Sequence, residues 1–307
     1  MANAAVEEFL SWLAVEKGRS ANTLAAYRRD LAAYVAFLHK RGLGPETATR
    51  TDVEAYLAHL QAAAGAASSV ARALASIRGL HRFLAWEGRS EADPAAELAR
   101  PRVPGGIPKA LSAHEVERLL AAPAGPGPLV LRDRAVLEVL YGSGIRISEL
   151  TGMSLGDLEL DDGLVRVLGK GAKERIVPLG SFARAAVEEW LGPSGRPLVM
   201  PSRWARRGDA EAVWLNARGG RLGRQGAWLI VRRWGGVAGL SGRLTPHVLR
   251  HSCASHLLDG GADIRVVQEL LGHASIATTQ VYTKVSPERL RAAYLEAHPR
   301  ALQRPGR

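Results

Sequence analysis

Nine residues, Arg100-Pro-Arg-Val-Pro-Gly-Gly-Ile-Pro108, carry three prolines and two glycines. No helix interior or central strand accommodates such a run, because each proline removes a backbone donor and fixes φ. Any fold of this 307-residue chain must therefore break here. Residues 101–109 read as a linker between a domain at 1–100 and a second at 110–307, both of ordinary domain size.

Before the break, apolar residues recur at helical spacing in four stretches: Val6, Phe9, Leu10, Leu13; Leu24, Tyr27, Leu31, Tyr34, Phe37, Leu38; Val53, Tyr56, Leu57, Leu60; and Leu74, Ile77, Leu80, Phe83, Leu84. A four-helix domain follows. Start signals are Ser20 and Asn22 for the second helix, Thr51-Asp52 for the third and Ser68-Ser69 for the fourth. After the break, Ser112 with Glu115 forms a capping-box pattern. Helices are then expected through Arg132 to Leu140 and Ile147 to Leu150. The alternating runs Leu164–Leu168 and Arg175–Leu179 flank a glycine-bearing turn, which predicts a β-hairpin with a lysine at its tip. Val213-Trp-Leu-Asn216 is a candidate third strand. The stretch Pro201 to Ala212, with Arg203, Arg206 and Arg207, reads as a flexible basic loop. The fold class is thus mainly α with a small antiparallel β-sheet in the C-terminal domain.

Lys and Arg exceed Asp and Glu by 41 − 30 = 11. Residues 1–100 hold 12 basic against 11 acidic side chains, so nearly all of the excess lies beyond the linker. Such a balance favours a polyanionic partner, although arginine-rich composition alone also raises it. The lone Cys253 excludes an intramolecular disulfide and fits a reducing compartment. No apolar run nears the roughly 20 residues that span a bilayer, and the acidic start is unlike a signal peptide. A cytoplasmic protein is expected.

In Thr245-Pro-His-Val-Leu-Arg250, Thr245 can cap a helix beginning at Pro246. His247 and Arg250, three apart, share a face near the positive helix end, where an anion is favoured. A second helix ends at Gly272 and leaves His273 on a turn; a short helix then leads from Ser275 to Tyr282. Tyrosine is a poor nucleophile unless cations surround it. His247 and His251 have the i, i+4 spacing of some zinc sites, but the intervening glutamate and a completing ligand are missing, so neither metal nor other cofactor is expected.

His247-x-x-Arg250, Leu270-Leu-Gly-His273 and Tyr282 resemble the C-terminal signature of the tyrosine recombinase (phage integrase) family. Gly142-Ser-Gly-Ile-Arg-Ile-Ser-Glu-Leu150 resembles its first-arginine motif and places Arg146. Gly169-Lys-Gly-Ala-Lys-Glu-Arg175 resembles its hairpin motif and places Lys170. The resemblance covers essentially the whole chain. Within the family it is greatest to the Xer branch, of the XerD type, through His247-Val-Leu-Arg-His251, Gly261–Gln268 and His298-Pro-Arg-Ala301.

This resemblance implies a SAM-like core-binding helical bundle followed by a catalytic domain that cuts and rejoins DNA. Tyr282 would attack a phosphodiester and form a 3′-phosphotyrosyl bond. Arg146 and Arg250 would stabilise the pentavalent phosphorane, His247 would act on the Tyr282 hydroxyl, His273 would order the site and Lys170 would protonate the leaving 5′-oxygen. Lys173 is a rival for Lys170. Tyr294 and Tyr141 are chemical rivals for Tyr282, although their spacing suits packing better. The implied partners are a double-stranded DNA recombination site, a XerC-type sister recombinase in a heterotetramer and a DNA translocase of the FtsK type, with chromosome-dimer resolution at cell division as the role. The segment 286–298 fits a helix exchanged between neighbouring protomers, or one packed on its own domain. The basic loop departs from the Xer pattern, as does Lys284, where many relatives carry histidine. A mobile-element integrase, a XerC-type sister, a type IB topoisomerase and a DNA-binding protein that does not cut remain alternatives.

Overall fold

The computed structural model describes residues 3–63, 66–99, 110–169, 174–272 and 287–301. Two compact units result, Met1–Gly106 and Ile107–Arg307, each with its own apolar core. Among the described residues no helix is long and apolar enough to cross a membrane.

In the first unit, α1 (Ala4–Val15), α2 (Ala21–His39), α3 (Arg50–Ala62) and α4 (Ala67–Trp86) bury the apolar positions that their periodicity aligns. Phe9, Leu31, Tyr34, Leu38, Val53, Tyr56, Ile77, Leu80 and Leu84 are all inside. Ser20 caps α2, accepting from the Thr23 N–H. The third helix starts earlier than Thr51-Asp52 suggests, because Thr49 is its cap and Asp52 closes a capping box onto the Thr49 N–H at 3.0 Å. The fourth also starts before its serines, with Ala66 as an N-cap that makes no side-chain bond. His81 is buried in this core and pairs with the Tyr34 hydroxyl at 2.9 Å. Burial pushes its pKa down to about 4, against the pull of Asp93 and Glu46.

The second unit is built around α6 (Pro128–Ser143), which α5 (Ala113–Ala121), α8 (Ser181–Leu191), α9 (Arg224–Val237) and α10 (Pro246–Asp259) all touch. Ser112 and Glu115 form the expected capping box on α5. Between α7 (Ile147–Gly152) and α8 lies a three-stranded antiparallel sheet of β1 (Leu158–Glu159), β2 (Leu164–Leu168) and β3 (Glu174–Pro178), in the order β1-β2-β3. The hairpin is as expected, but the third strand is not Val213–Asn216. Val213, Trp214 and Leu215 are fully buried, and side chains satisfy carbonyls there. The Trp190 indole donates to Val213 O at 2.9 Å and Arg132 to Leu215 O at 2.9 Å. The short strand Leu158–Glu159 takes the free edge of β2 instead.

The loop 201–212 is also fixed more firmly than its composition suggests. Arg196, itself buried, donates to Ala212 O at 3.0 Å and Ala210 O at 2.5 Å. Two more helices, α11 (Ile264–Leu271) and α12 (Pro287–Ala297), complete the unit. The described part of α12 packs on its own domain through Leu290, Tyr294 and Ala297. Behind it, His298 stacks on Tyr294 with centroids 4.8 Å apart, and Arg300 reaches Glu138 at 2.7 Å. Tyr141 and Tyr294 are both core residues, as their spacing indicates. Ser286, the first residue of the segment 286–298, lies outside the described residues.

A buried carboxylate, Asp133, ties neighbouring elements together. It accepts from Arg132 at 2.6 Å through Oδ1 and from the Trp234 indole at 2.9 Å through Oδ2. Asp133→Ala would leave the Arg132 charge and the Trp234 N–H buried without it, so unfolding free energy measured in urea should fall by about 3–5 kcal/mol. An unchanged midpoint would contradict the assignment. In the first unit, His81 binds its proton less readily folded than unfolded, so its contribution is full above the ordinary pKa of 6.5 and declines as pH falls towards about 4. His81→Gln, which keeps a partner for Tyr34, should flatten the stability profile over that interval by about 1.4 kcal/mol per pH unit.

Candidate active site

Helix α11 ends because Gly272 adopts a left-handed conformation, φ 64°, that leaves the last carbonyls in need of donors. Three arginines from three other elements take them up in sequence. Arg175, on β3, donates through Nε to Leu270 O at 3.1 Å. Arg250, on α10, donates through Nη2 to Leu271 O at 2.6 Å. Arg146, the N-cap of α7, donates through Nη2 to Gly272 O at 3.1 Å. Arg250 also binds Gly144 O at 2.7 Å, in the turn between α6 and α7. That turn requires glycine twice over: Gly144 has φ 59°, and a Cβ there would lie 2.9 Å from Leu271 and 3.1 Å from the buried Cys253 sulfur.

One carboxylate holds two of the three guanidinium groups. Glu149 accepts from Arg175 at both oxygens, at 2.8 and 2.9 Å, and from the Arg146 side chain at 2.9 Å. It also accepts from the Arg146 backbone N–H at 2.8 Å. Burial alone would raise the pKa of this side chain, which is only 2% exposed, but the arginine bonds outweigh it and hold the carboxyl ionised below its ordinary value. Arg250 is pushed down to about 10, first by burial and then by the charge of Arg146. Three guanidinium groups against one carboxylate leave an excess of positive charge at the end of α11. Arg146 keeps 39% of its side chain exposed, so that excess is open to an anion from solution.

Among the six residues singled out in the sequence, the structure brings Arg146 and Arg250 together on adjacent carbonyls. His247 is exposed in the first turn of α10, one turn before Arg250, behind a Thr245 cap that accepts from the Val248 N–H at 3.2 Å. Lys170, His273 and Tyr282 lie outside the described residues, as do Lys173 and Lys284; His273 directly follows the clamped Gly272. His256 pairs with the Tyr141 hydroxyl at 2.9 Å, which accounts for it structurally. Around His247 and His251 no group of three or more potential metal ligands forms among the described residues. Sequence reasoning missed Glu149 and Arg175. The signal for the first is its place three residues after Arg146 on a short helix; that for the second is its place on the strand just after the hairpin turn, paired with Val167.

The phage integrase family model matches residues 109–289, and the model of the phage integrase N-terminal SAM-like domain matches residues 6–88. The chain belongs to the phage integrase family and is a site-specific tyrosine recombinase. Within that family it is most like XerD: it is 46% identical to the tyrosine recombinase XerD of Bifidobacterium longum over 299 residues, covering 96% of this chain and 97% of that one. To the XerD of Mycobacterium tuberculosis it is 46% identical over 309 residues, with the same coverage. Solved structures share the fold at lower identity. A lambda integrase fragment, residues 75–356, in a dimer bound to a COC' core site has TM-score 0.65 at 20% identity, covering 92% of this chain and 98% of that one. The Tn1549 transposon integrase in complex with circular intermediate DNA has TM-score 0.67 at 16% identity, covering 95% and 99%.

Glu149→Gln preserves shape but removes the charge that positions both arginines. Formation of the covalent DNA adduct should slow about 100-fold, the order of loss that a 1 Å displacement produces. Arg175→Met should slow it in the same sense, with Arg175→Lys unable to rescue because it cannot span both oxygens of the carboxylate. Wild-type rates in these variants would show that the clamp does not position Arg146.

Proposed function

We propose that the guanidinium cluster at the end of α11 binds the scissile phosphate of a double-stranded DNA recombination site. The observation that carries this reading is the meeting of Arg146 and Arg250 on Gly272 O and Leu271 O, directly before His273. In the proposed step, the Tyr282 hydroxyl oxygen attacks phosphorus, a P–O bond to the tyrosine forms and the bond to the 5′-oxygen breaks. His247 takes the tyrosine proton and Lys170 supplies one to the leaving oxygen. Arg146 and Arg250 donate to the non-bridging oxygens as charge grows there, and His273 helps to fix the phosphate. Reversal with a different 5′-hydroxyl rejoins the strand, so bond energy is conserved and no nucleotide cofactor is consumed.

Residues 1–100 would serve as the core-binding domain, 101–109 as the linker and 110–307 as the catalytic domain. Relatives of this fold solved on DNA support a DNA partner. Likeness to XerD supports action in the cytoplasm, in a heterotetramer with a XerC-type sister under control of an FtsK-type translocase, resolving chromosome dimers. In that assembly α12, here on its own domain, would pass to a neighbour.

A nicked suicide duplex carrying the cleavage site tests the chemistry. Wild type should trap a 3′ adduct that survives denaturation, and Tyr282→Phe should trap none. Adduct formation by the Phe variant would remove Tyr282 from the reaction, and supercoil relaxation on DNA without a specific site would point to a topoisomerase instead.

A further inference from the structure

Charged and aromatic groups that the strand-transfer chemistry leaves unused gather where the tail, residues 287–301, sits on its own unit. The seat is cut closely. A Cβ at Gly180, the N-cap of α8, would lie 2.6 Å from the Tyr294 hydroxyl, and one at Gly260, the C-cap of α10, would collide with Ala297 O. Leu290, Tyr294 and Ala297 fill this seat, and an apolar fit by itself discriminates poorly between helices of similar outline.

Beyond α12 the contacts change character. Arg300 places its guanidinium between two elements: Nη2 donates to Glu138 Oε1 on α6 at 2.7 Å, and the group lies over the Phe182 ring on α8, 3.8 Å from its centroid. The Glu138 side chain is 7% exposed and that of Arg300 17%, so solvent screens the pair little. Burial pushes the Glu138 carboxyl up to about 7, against the pull of Arg300 first and Arg134 second. A tail without the arginine would leave this carboxylate buried with Arg134, which bonds Glu189 and Pro123 O instead. An unpaired buried charge is costly. The other polar atoms of the tail add little to its hold. Of the five buried side-chain polar atoms without a hydrogen-bond partner among the described residues, three are Tyr294 Oη, His298 Nε2 and Arg300 Nε. Each of them costs the seated state, which puts the weight on the Glu138–Arg300 bond.

We infer that Glu138 and Phe182 form an arginine pocket that decides which C-terminal tail the seat accepts, its own or that of a second copy of this chain, through the demand for arginine at position 300. Lysine there would keep the charge but lose the flat face against Phe182. The second copy as the incoming partner rests on the reading that α12 passes to a neighbour.

Amide hydrogen exchange of α12 in the full chain reads the seat. E138R and R300E each set like charges together, so exchange of α12 should rise on the order of 10- to 100-fold in either. The double variant E138R/R300E restores opposite charges within one chain and should regain wild-type protection. So should a concentrated equimolar mixture of the two single variants, in which each seat is satisfied only by the other chain's tail. Wild-type protection in both single variants, or fast exchange in a double variant that melts like wild type, overturns the pocket. Protection recovered in the double variant but not in the mixture confines the pocket to its own tail and overturns the second copy as partner. Where arginine at 138 prevents folding, E138Q and R300Q replace the swap: R300Q should add nothing to E138Q, and effects that add overturn the pocket. The suicide-substrate assay on wild type is separate, since absence of an adduct there defeats the recombinase reading whatever the exchange shows.

Discussion

Three consecutive carbonyls, Leu270 O, Leu271 O and Gly272 O, each accept a hydrogen bond from a different arginine. A helix end of this kind carries partial negative charge and needs donors. Here the donors come from β3, α10 and the start of α7, so satisfying one helix end also gathers three distant parts of the domain. The geometry is rigid because each guanidinium is tied at a second point: Arg250 to Gly144 O, and Arg146 and Arg175 to Glu149. The same arrangement concentrates positive charge that Glu149 alone does not neutralise. An excess of this kind suits an anion.

Packing around this point explains several otherwise separate features. Cys253 is buried against the Gly144 turn, where a larger neighbour would displace Leu271 and with it the carbonyl that Arg250 holds. Arg221 secures the other end of α7, so the short helix that begins at Arg146 is fixed at both ends. The strand that leaves the hairpin, β3, carries Arg175 onto Glu149, which links the hairpin on which Lys170 lies in sequence to the arginine site.

Much of this architecture is legible in the amino-acid sequence. Period-3.6 patterning marks the four helices of the first unit because a simple bundle buries one stripe per helix, and alternation marks the β2–β3 hairpin. Helix starts are less legible where several capping residues compete: Thr49 wins over Thr51 because Asp52 can close a box with it. Val213–Asn216 resembles a strand because it is apolar, yet its carbonyls meet the side chains of Arg132 and Trp190, which no local pattern encodes. At the site, Arg146 and Arg250 stand out through their motifs. Glu149 and Arg175 do not, since their importance lies in contacts spanning 26 residues and, for Arg175 with Leu270, 95 residues of sequence.

The central claim is that the clamped end of α11 presents a phosphate to a tyrosine ten residues beyond Gly272. Protease digestion and mass spectrometry of the trapped protein–DNA adduct would locate the attachment directly. The account predicts a phosphate-linked nucleotide on the peptide containing Tyr282. Attachment to Tyr141, Tyr294 or any other residue would contradict it.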